Sequence, residues 1–284
     1  MTPGIDAGAY LARLGLEREL PSVAALARLQ RAHVERIAYE ALDVQLERRT
    51  SIEPEASAAR ITERGRGGYC YHLNGAFSAL LRALGYDVTW HRAGVQTNRD
   101  AEPPGPARAN HLVLTVARLP DGDGAWMVDA GLGDALHDPL PLRAGTYVQG
   151  PFTFGLRPSD LVPGGWRFEH DAGGSFLGAD WDPRPATVCD FLERHAWLES
   201  SPESGFVRTC AVQRRDAGGV DDLTGLVLER RDGSGAPGRT LETAAEWYGA
   251  IGDVFGLALA DLDAADRDAL WRRVHAAHEA WLAA

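Results

Sequence analysis

The chain has 284 residues, of which 45% are hydrophobic and 24% are charged, and these proportions are typical of a globular protein. Its formal net charge of −11 argues against general binding to nucleic acids or anionic membranes. All 29 basic residues are arginine, which excludes Schiff-base and Walker-lysine chemistry.

The cysteine count excludes two further classes of protein. The three cysteines, Cys70, Cys189 and Cys210, form no CxxC pair and are odd in number. We therefore expect neither a disulfide framework nor a metal site. The first residues lack a basic stretch followed by an apolar one, and no apolar run reaches about 18 residues. We expect no signal peptide, no membrane span and a cytoplasmic location.

The first part of the chain, residues 1–87, has mostly helical patterns. Apolar residues recur at helical spacing over residues 21–37, where Pro21 and Ser22 supply a start signal. A second helix is predicted over residues 74–84, because Gly85 follows it as a typical C-terminal cap.

From Tyr86 the pattern changes to short segments rich in Val, Leu and Trp, separated by Gly, Pro and Asp. Such segments indicate strands, which we predict at residues 87–91, 112–117 and 125–129. Residues 139–182 show no helical period and many glycines, prolines and aromatics, so they favour a twisted sheet or a small barrel.

The last part mixes both kinds of element. We predict helices at residues 186–198, 241–255 and 264–283, and strands at residues 206–213 and 226–231. A helix-rich part, then a strand-rich part, then a mixed part indicates an α+β fold. We divide the chain into residues 1–87, 88–185 and 186–284, which should pack together because no long linker separates them.

Cys70 lies in the segment GRGGYCYHLNG, just after a pair of glycines and before a helical pattern. Glycines permit the backbone angles of a tight turn, and a thiol at the start of a helix feels the positive end of the helix dipole. This environment favours the thiolate, which is the nucleophilic form of cysteine. The alternative is a buried structural cysteine.

A thiol nucleophile needs a base, and the base needs an acceptor that orients it. His111 opens the apolar run HLVLTV, and Asp129 ends the run AWMVD. Burial of Asp129 would be costly unless its carboxylate accepts hydrogen bonds. Taken singly, His111 also fits a solvated strand end, and Asp129 also fits an acid that caps a turn.

Together these residues resemble the arylamine N-acetyltransferase family. RGGYC at residues 66–70, His111 before its strand and VDAGLG at residues 128–133 are similar to that family's RGGxCxE, HxxL and VDVGFG motifs, in the same order. Three further segments are similar to segments of that family: IAYEAL at residues 37–42, SSPESGF at residues 200–206 and FGL at residues 255–257. The resemblance therefore covers nearly the whole chain.

The resemblance implies an N-terminal helical bundle, a central β-barrel and a C-terminal α/β lid, with a triad like that of cysteine proteases. It also implies ping-pong transfer of an acetyl group from acetyl-CoA to an arylamine, hydrazine or arylhydroxylamine, as in xenobiotic metabolism. Cys70 would carry the acetyl group, His111 would pair with Cys70 and relay protons, and Asp129 would orient His111. The resemblance leaves the oligomeric state open, and a dimer is one of the alternatives.

The resemblance also suggests supporting residues. Arg66 would pair with Glu40 and lock the nucleophile turn, and Gly131 and Gly133 would line the CoA cleft. Because CoA is polyanionic and the chain has a net charge of −11, its binding would need local donors, and arginines of the later segments such as Arg208, Arg214 and Arg215 are candidates. They fit a solvated strand face equally well.

Several positions depart from the family's motifs. Ala38, Tyr39 and Ala41 replace its proline, phenylalanine and asparagine, His72 replaces its glutamate, and Leu132 replaces a phenylalanine. None belongs to the triad, but they alter the expected pocket walls. The alternative within acyl transfer is an amide synthase that closes macrolactams from thioester-bound polyketides. A cysteine protease and a non-catalytic binding protein are the alternatives from other classes.

Overall fold

The computed structural model describes residues 4–99 and 101–283. The helices of the described residues are α1 (Ala7–Leu14), α2 (Val23–Arg36), α3 (Leu42–Gln45), α4 (Pro54–Arg64), α5 (Cys70–Ala83), α6 (Leu192–Ser200), α7 (Gly205–Arg208), α8 (Ala244–Asp253) and α9 (Ala264–Leu282). Two 3-10 turns occur at Pro106–Arg108 and Val188–Asp190. The strands are β1 (Tyr39–Glu40), β2 (Asp87–Gln96), β3 (His111–Ala117), β4 (Trp126–Val128), β5 (Leu140–Pro141), β6 (Gly145–Gln149), β7 (Phe152–Pro158), β8 (Trp166–Glu169), β9 (Gly178–Trp181), β10 (Ala211–Asp216), β11 (Gly219–Thr224), β12 (Val227–Arg231) and β13 (Arg239–Thr240).

The N-terminal part is helical, as the sequence predicts. The helix predicted over residues 21–37 is α2, and its start is capped by Ser22, whose Oγ accepts a hydrogen bond from the Ala25 N–H at 3.1 Å. The helix predicted over residues 74–84 begins four residues earlier, at Cys70. Its apolar face is buried, with Leu73, Phe77 and Leu80 fully shielded in the core.

The middle part forms an eight-stranded sheet in the order β5-β4-β3-β2-β9-β8-β7-β6, and this sheet curves into a nearly closed barrel. Every pairing within it is antiparallel. The predicted strands at residues 87–91, 112–117 and 125–129 correspond to β2, β3 and β4. In the β3–β4 pair, Leu114 lies opposite Val128, so the start of β3 and the end of β4 lie at the same end of the sheet.

The last part holds a five-stranded sheet in the order β1-β10-β11-β12-β13. Strand β1 comes from the N-terminal part, and its Tyr39 pairs with Gln213 of β10. Helices α8 and α9 pack on this sheet around Trp247, Leu270 and Val274. The N-terminal and C-terminal parts therefore share one sheet.

Two predictions in the last part are wrong in detail. The strand predicted over residues 206–213 is interrupted, because Ser204 caps the short helix α7 and β10 begins only at Ala211. The helix predicted over residues 186–198 starts later, after a 3-10 turn that Thr187 and Asp190 close with a capping box. No helix within the described residues has the length and apolarity that a membrane crossing requires.

Candidate active site

The turn before α5 brings two backbone segments into close contact. At Gly67 a Cβ atom would lie 1.8 Å from the carbonyl oxygen of Ala38, and Gly68 adopts a φ of 140°. Only glycine fits both positions without strain. The turn places Cys70 in the first turn of α5, where its side chain is buried at 5% exposure. The thiol therefore lies closer to the positive end of the helix dipole than the sequence predicts.

A buried ion pair holds this turn. Arg66 binds Glu40 through two hydrogen bonds of 3.1 Å, and both side chains are fully buried. Arg60 also donates to Glu40 at 2.7 Å and to the Gly67 carbonyl at 2.8 Å. Burial alone would raise the pKa of Glu40, but Arg66 and Arg60 outweigh it and hold that pKa well below its usual range. The predicted Arg66–Glu40 contact is thus present in the structure.

His111 and Asp129 meet where the start of β3 lies beside the end of β4. The His111 Nε2–H donates to Asp129 Oδ2 at 2.6 Å, and both side chains are almost fully buried. Since Nε2 is engaged by the carboxylate, Nδ1 is the ring nitrogen that remains for the thiol of Cys70. The structure thus brings the three predicted residues together at one site.

The charges of this site favour the protonated form of His111. Burial would lower the pKa of its imidazole, but the Asp129 carboxylate, through charge and hydrogen bonding, and the neighbouring Cys70 raise that pKa to about 10. An imidazolium beside Cys70 is the partner that a thiolate needs.

Asn74 is a residue of the site that the sequence analysis missed. Its Nδ2 group donates to Asp129 Oδ1 at 2.7 Å and to the Leu112 carbonyl at 2.6 Å, while its Oδ1 accepts from the Ala130 N–H at 2.8 Å. Asn74 therefore fixes the Asp129 carboxylate relative to α5. Its position one helical turn after Cys70, on the same face of α5, is the signal that could have revealed it.

Gly131 and Gly133 have different surroundings. The Gly131 N–H donates to Asp129 Oδ1 at 2.9 Å, and a Cβ at Gly131 would lie 2.7 Å from the Cα of Cys70. Gly133 has a φ of 67°, and a Cβ there would lie 1.9 Å from the Gln213 side chain. Gly131 thus allows the Asp129 segment to approach the nucleophile, and Gly133 allows it to approach β10.

A cavity of about 230 Å³ opens beside Cys70 and His111. We call it the active-site cavity. Its lining residues are Tyr39, Cys70, Val95, Thr97, Asn110, His111, Gly131, Leu132, Ser175, Phe176, Arg194, Leu198, Phe206 and Gln213. Aromatic rings from three parts of the chain, at Tyr39, Phe176 and Phe206, give this small cavity apolar walls.

The three arginines considered as CoA donors lie elsewhere. Arg215 is buried and donates to the carbonyl groups of Ala135 and Gln149, and Arg214 lies 3.7 Å from Asp221. Arg208 lines a separate apolar cavity between the segment that precedes β10, the turn from β11 to β12, and α9. None of them is among the residues that line the active-site cavity, whereas Arg194, which the sequence analysis did not single out, is one of them.

Of the positions that depart from the family's motifs, some line the active-site cavity and others lie away from it. Tyr39 and Leu132 line the active-site cavity, so they shape it directly. His72 points away into a buried polar cluster, where its Nε2 lies 3.0 Å from Thr50 Oγ1. Burial, with Arg60 and His195 nearby, lowers the pKa of His72 to about 3, so its ring is neutral. Within residues 4–99 and 101–283, no cluster of histidine, cysteine and carboxylate groups fits a metal ion.

Comparisons with known proteins agree with this geometry. A family model described as N-acetyltransferase matches residues 22–264. An arylamine N-acetyltransferase of Mycolicibacterium smegmatis is 33% identical over 274 residues, covering 92% of this chain and 95% of that protein. The structure of the Mycobacterium marinum arylamine N-acetyltransferase in complex with CoA matches with a TM-score of 0.83 at 27% identity, covering 95% of this chain and 98% of that one. The proansamycin X synthase of Amycolatopsis mediterranei is 32% identical over 151 residues, covering 51% of this chain and 55% of that protein.

Proposed function

The chain belongs to the arylamine N-acetyltransferase family, and from that premise we propose that it transfers an acetyl group from acetyl-CoA to an arylamine, hydrazine or arylhydroxylamine. The observation that carries the proposal is that Cys70 and His111 line one cavity with apolar walls, while Asp129 binds His111. We propose that these three residues are the catalytic triad of a ping-pong reaction. The cytoplasmic location stays a prediction.

The first half-reaction loads the enzyme. The Cys70 thiolate attacks the carbonyl carbon of the acetyl thioester, and backbone N–H groups at the start of α5 stabilise the oxyanion that forms. When this intermediate collapses, the bond to the CoA sulfur breaks, and the imidazolium of His111 supplies the proton that the leaving thiolate takes up. Cys70 is left as an acetyl thioester beside a neutral His111.

The second half-reaction transfers the acetyl group from Cys70 to the acceptor. The nitrogen of the acceptor attacks the thioester carbonyl, and His111 Nδ1 takes the proton that this nitrogen loses. The carbon–sulfur bond to Cys70 then breaks, which restores the thiolate and the imidazolium. Asp129 holds Nε2 protonated throughout, because its carboxylate accepts the Nε2–H, and so Nδ1 stays available to exchange the proton.

The size of the active-site cavity favours this reaction over macrolactam formation. A volume of about 230 Å³ is below the ~300–1,000 Å³ usual for drug-sized ligands. A single aromatic amine fits it, and the three aromatic walls suit such an acceptor. The similarity to proansamycin X synthase keeps an amide synthase as the second candidate, in which the acyl group would arrive as a long thioester.

Steady-state kinetics test the proposal. The substrates are acetyl-CoA and 4-methylaniline. A ping-pong reaction gives parallel lines when the reciprocal rate is plotted against the reciprocal acetyl-CoA concentration at several concentrations of the acceptor. The free enzyme should also release CoA in a single burst when no acceptor is present. Intersecting lines without a burst would show direct transfer, and the acetyl-Cys70 intermediate would have to be abandoned.

A further inference from the structure

Arg194 of α6 is a charged residue of the active-site cavity to which the triad mechanism assigns no task. It is half-buried in the cavity wall. Among the residues that the structure describes, those that line this cavity include no aspartate or glutamate, although the whole chain carries a net charge of −11. The cavity wall thus has the opposite sign of charge to the rest of the protein.

The guanidinium of Arg194 is held in place, but none of the acids that the structure describes pairs with it. It stacks over the ring of Trp197, with its central carbon 3.8 Å from the ring centroid. Its Nε is buried and has no hydrogen-bond partner among the described residues. Other half-buried arginines differ: Arg167 pairs with Asp180 at 2.5 Å, and Arg92 with Asp182 at 3.4 Å. A buried donor without a partner is costly, which points to a ligand that supplies the acceptor.

A second positive charge strengthens this field. Burial and the neighbouring Arg108 both lower the pKa of Arg194, against a smaller opposite effect of Tyr71. Arg108 is exposed and lies in the 3-10 turn just before β3. Two arginines whose positive charges act on each other favour the binding of an anion beside them.

We propose that Arg194 binds a carboxylate that the substrate carries into the active-site cavity, and so selects anionic substrates over neutral ones of the same shape. The planar fork of a guanidinium matches the two oxygens of a carboxylate, and stacking on Trp197 orients that fork in advance. The proposal rests on the proposed function, because it names the substrate class of the same site. The carboxylate belongs either to the amine acceptor, as in an aminobenzoate, or to the acyl group, as in a dicarboxylic acyl-CoA.

Two matched pairs of substrates distinguish these sources. For the acceptor, kcat/KM with acetyl-CoA is measured for 4-aminobenzoate and for neutral 4-aminobenzamide. For the donor, the rate of acyl loading of Cys70 is measured by intact-protein mass spectrometry with malonyl-CoA and with butyryl-CoA. The enzymes are the wild type, Arg194→Gln, Arg194→Lys and the control Arg272→Gln, which removes an exposed charge on α9.

In one of the two pairs, Arg194→Gln should lower the ratio of the anionic to the neutral rate by about 10- to 100-fold, because it removes a charge-assisted hydrogen bond. Arg194→Lys should recover part of the ratio, since it keeps the charge but not the fork. Arg272→Gln should leave both ratios at the wild-type value. The affected pair shows whether the acceptor or the acyl group carries the carboxylate.

Two results would overturn the proposal. Unchanged ratios in both pairs would show that Arg194 does not recognise a carboxylate. An equal rise of KM for every CoA thioester would assign Arg194 to the phosphates of CoA instead. Failure of the proposed function itself looks different, because the wild type would then transfer no acyl group to any of these amines.

Discussion

Replacement of Asp129 by asparagine tests how the triad divides its work. The Oδ1 atom of Asp129 accepts hydrogen bonds from Asn74 Nδ2 and from the Gly131 N–H, so an asparagine must keep its oxygen at that position. Its NH2 group then takes the place of Oδ2, facing His111. An NH2 group donates, so it forces Nε2 to be the acceptor and puts the proton of the neutral ring on Nδ1. That tautomer has no free nitrogen to take a proton from the thiol or the amine.

The magnitude follows from the charge that is lost. The pKa of His111 is raised from 6.5 to about 10, and the Asp129 carboxylate is the largest of the raising influences. This difference corresponds to about 5 kcal/mol in favour of the imidazolium. Without the carboxylate, burial lowers the pKa of His111 and only the neighbouring Cys70 opposes it, so we expect the ring to be neutral at pH 8. We expect acetyl loading at pH 8 to slow by about 10³- to 10⁴-fold, a loss similar to that of aspartate-to-asparagine changes in serine-protease triads.

The assay is rapid mixing with acetyl-CoA followed by mass spectrometry of the acetylated chain at several pH values. Asp160→Asn is the matched control, because it removes an exposed aspartate and should load at the wild-type rate. Circular dichroism is used to check that both variants are folded. A loading rate for Asp129→Asn within a factor of ten of the wild type would refute the role given to Asp129.

Three further experiments test the triad and its surroundings. Iodoacetamide should label Cys70 far faster than Cys210, because complete burial raises the pKa of Cys210 to about 12; peptide mapping that finds Cys210 labelled first would contradict the nucleophile assignment. Replacement of Glu40 by glutamine should lower the free energy of unfolding by about 3–5 kcal/mol in urea titrations at pH 7, because it leaves buried arginines unpaired. The depressed pKa of Glu40 means that its stabilisation is present above pH 4.5 and is lost as the pH falls further, so the difference between variant and wild type should shrink in acid. Gly131→Ala should lower the free energy of unfolding by about 1–3 kcal/mol and remove most of the activity, because its Cβ meets the backbone of Cys70. The control Gly252→Ala has open space around its Cβ and lies inside α8, so its free energy of unfolding should be unchanged or higher.

The sequence predicts the three motifs of the site because each carries a local signal. Cys70 follows two glycines, and His111 and Asp129 each lie at the boundary of an apolar strand. The meeting of these residues depends on the register of β3 and β4, which no local pattern encodes. The family resemblance supplied that information.

The residues that the sequence analysis missed act through long-range contacts. Asn74 looks like an ordinary helical residue until the Asp129 segment packs against it. Strand β11 was missed because its sequence GVDDLT carries two acids, which pair with arginines of β10 and β12 in the folded sheet. Arg194 has the local pattern of a solvated helical residue, and only the position of α6 beside Cys70 makes it part of the cavity wall.

The most direct test of the account is the mass of the intact chain after mixing with acetyl-CoA in the absence of an acceptor. The wild type should gain one acetyl group, located on Cys70 by peptide mapping, and should lose it when an arylamine is added. Cys70→Ala should gain none while remaining folded. An unchanged wild-type mass, or equal acetylation of the wild type and Cys70→Ala, would contradict the central claim that this thiol carries the acetyl group. Loading by a long acyl thioester but not by acetyl-CoA would instead support an amide synthase.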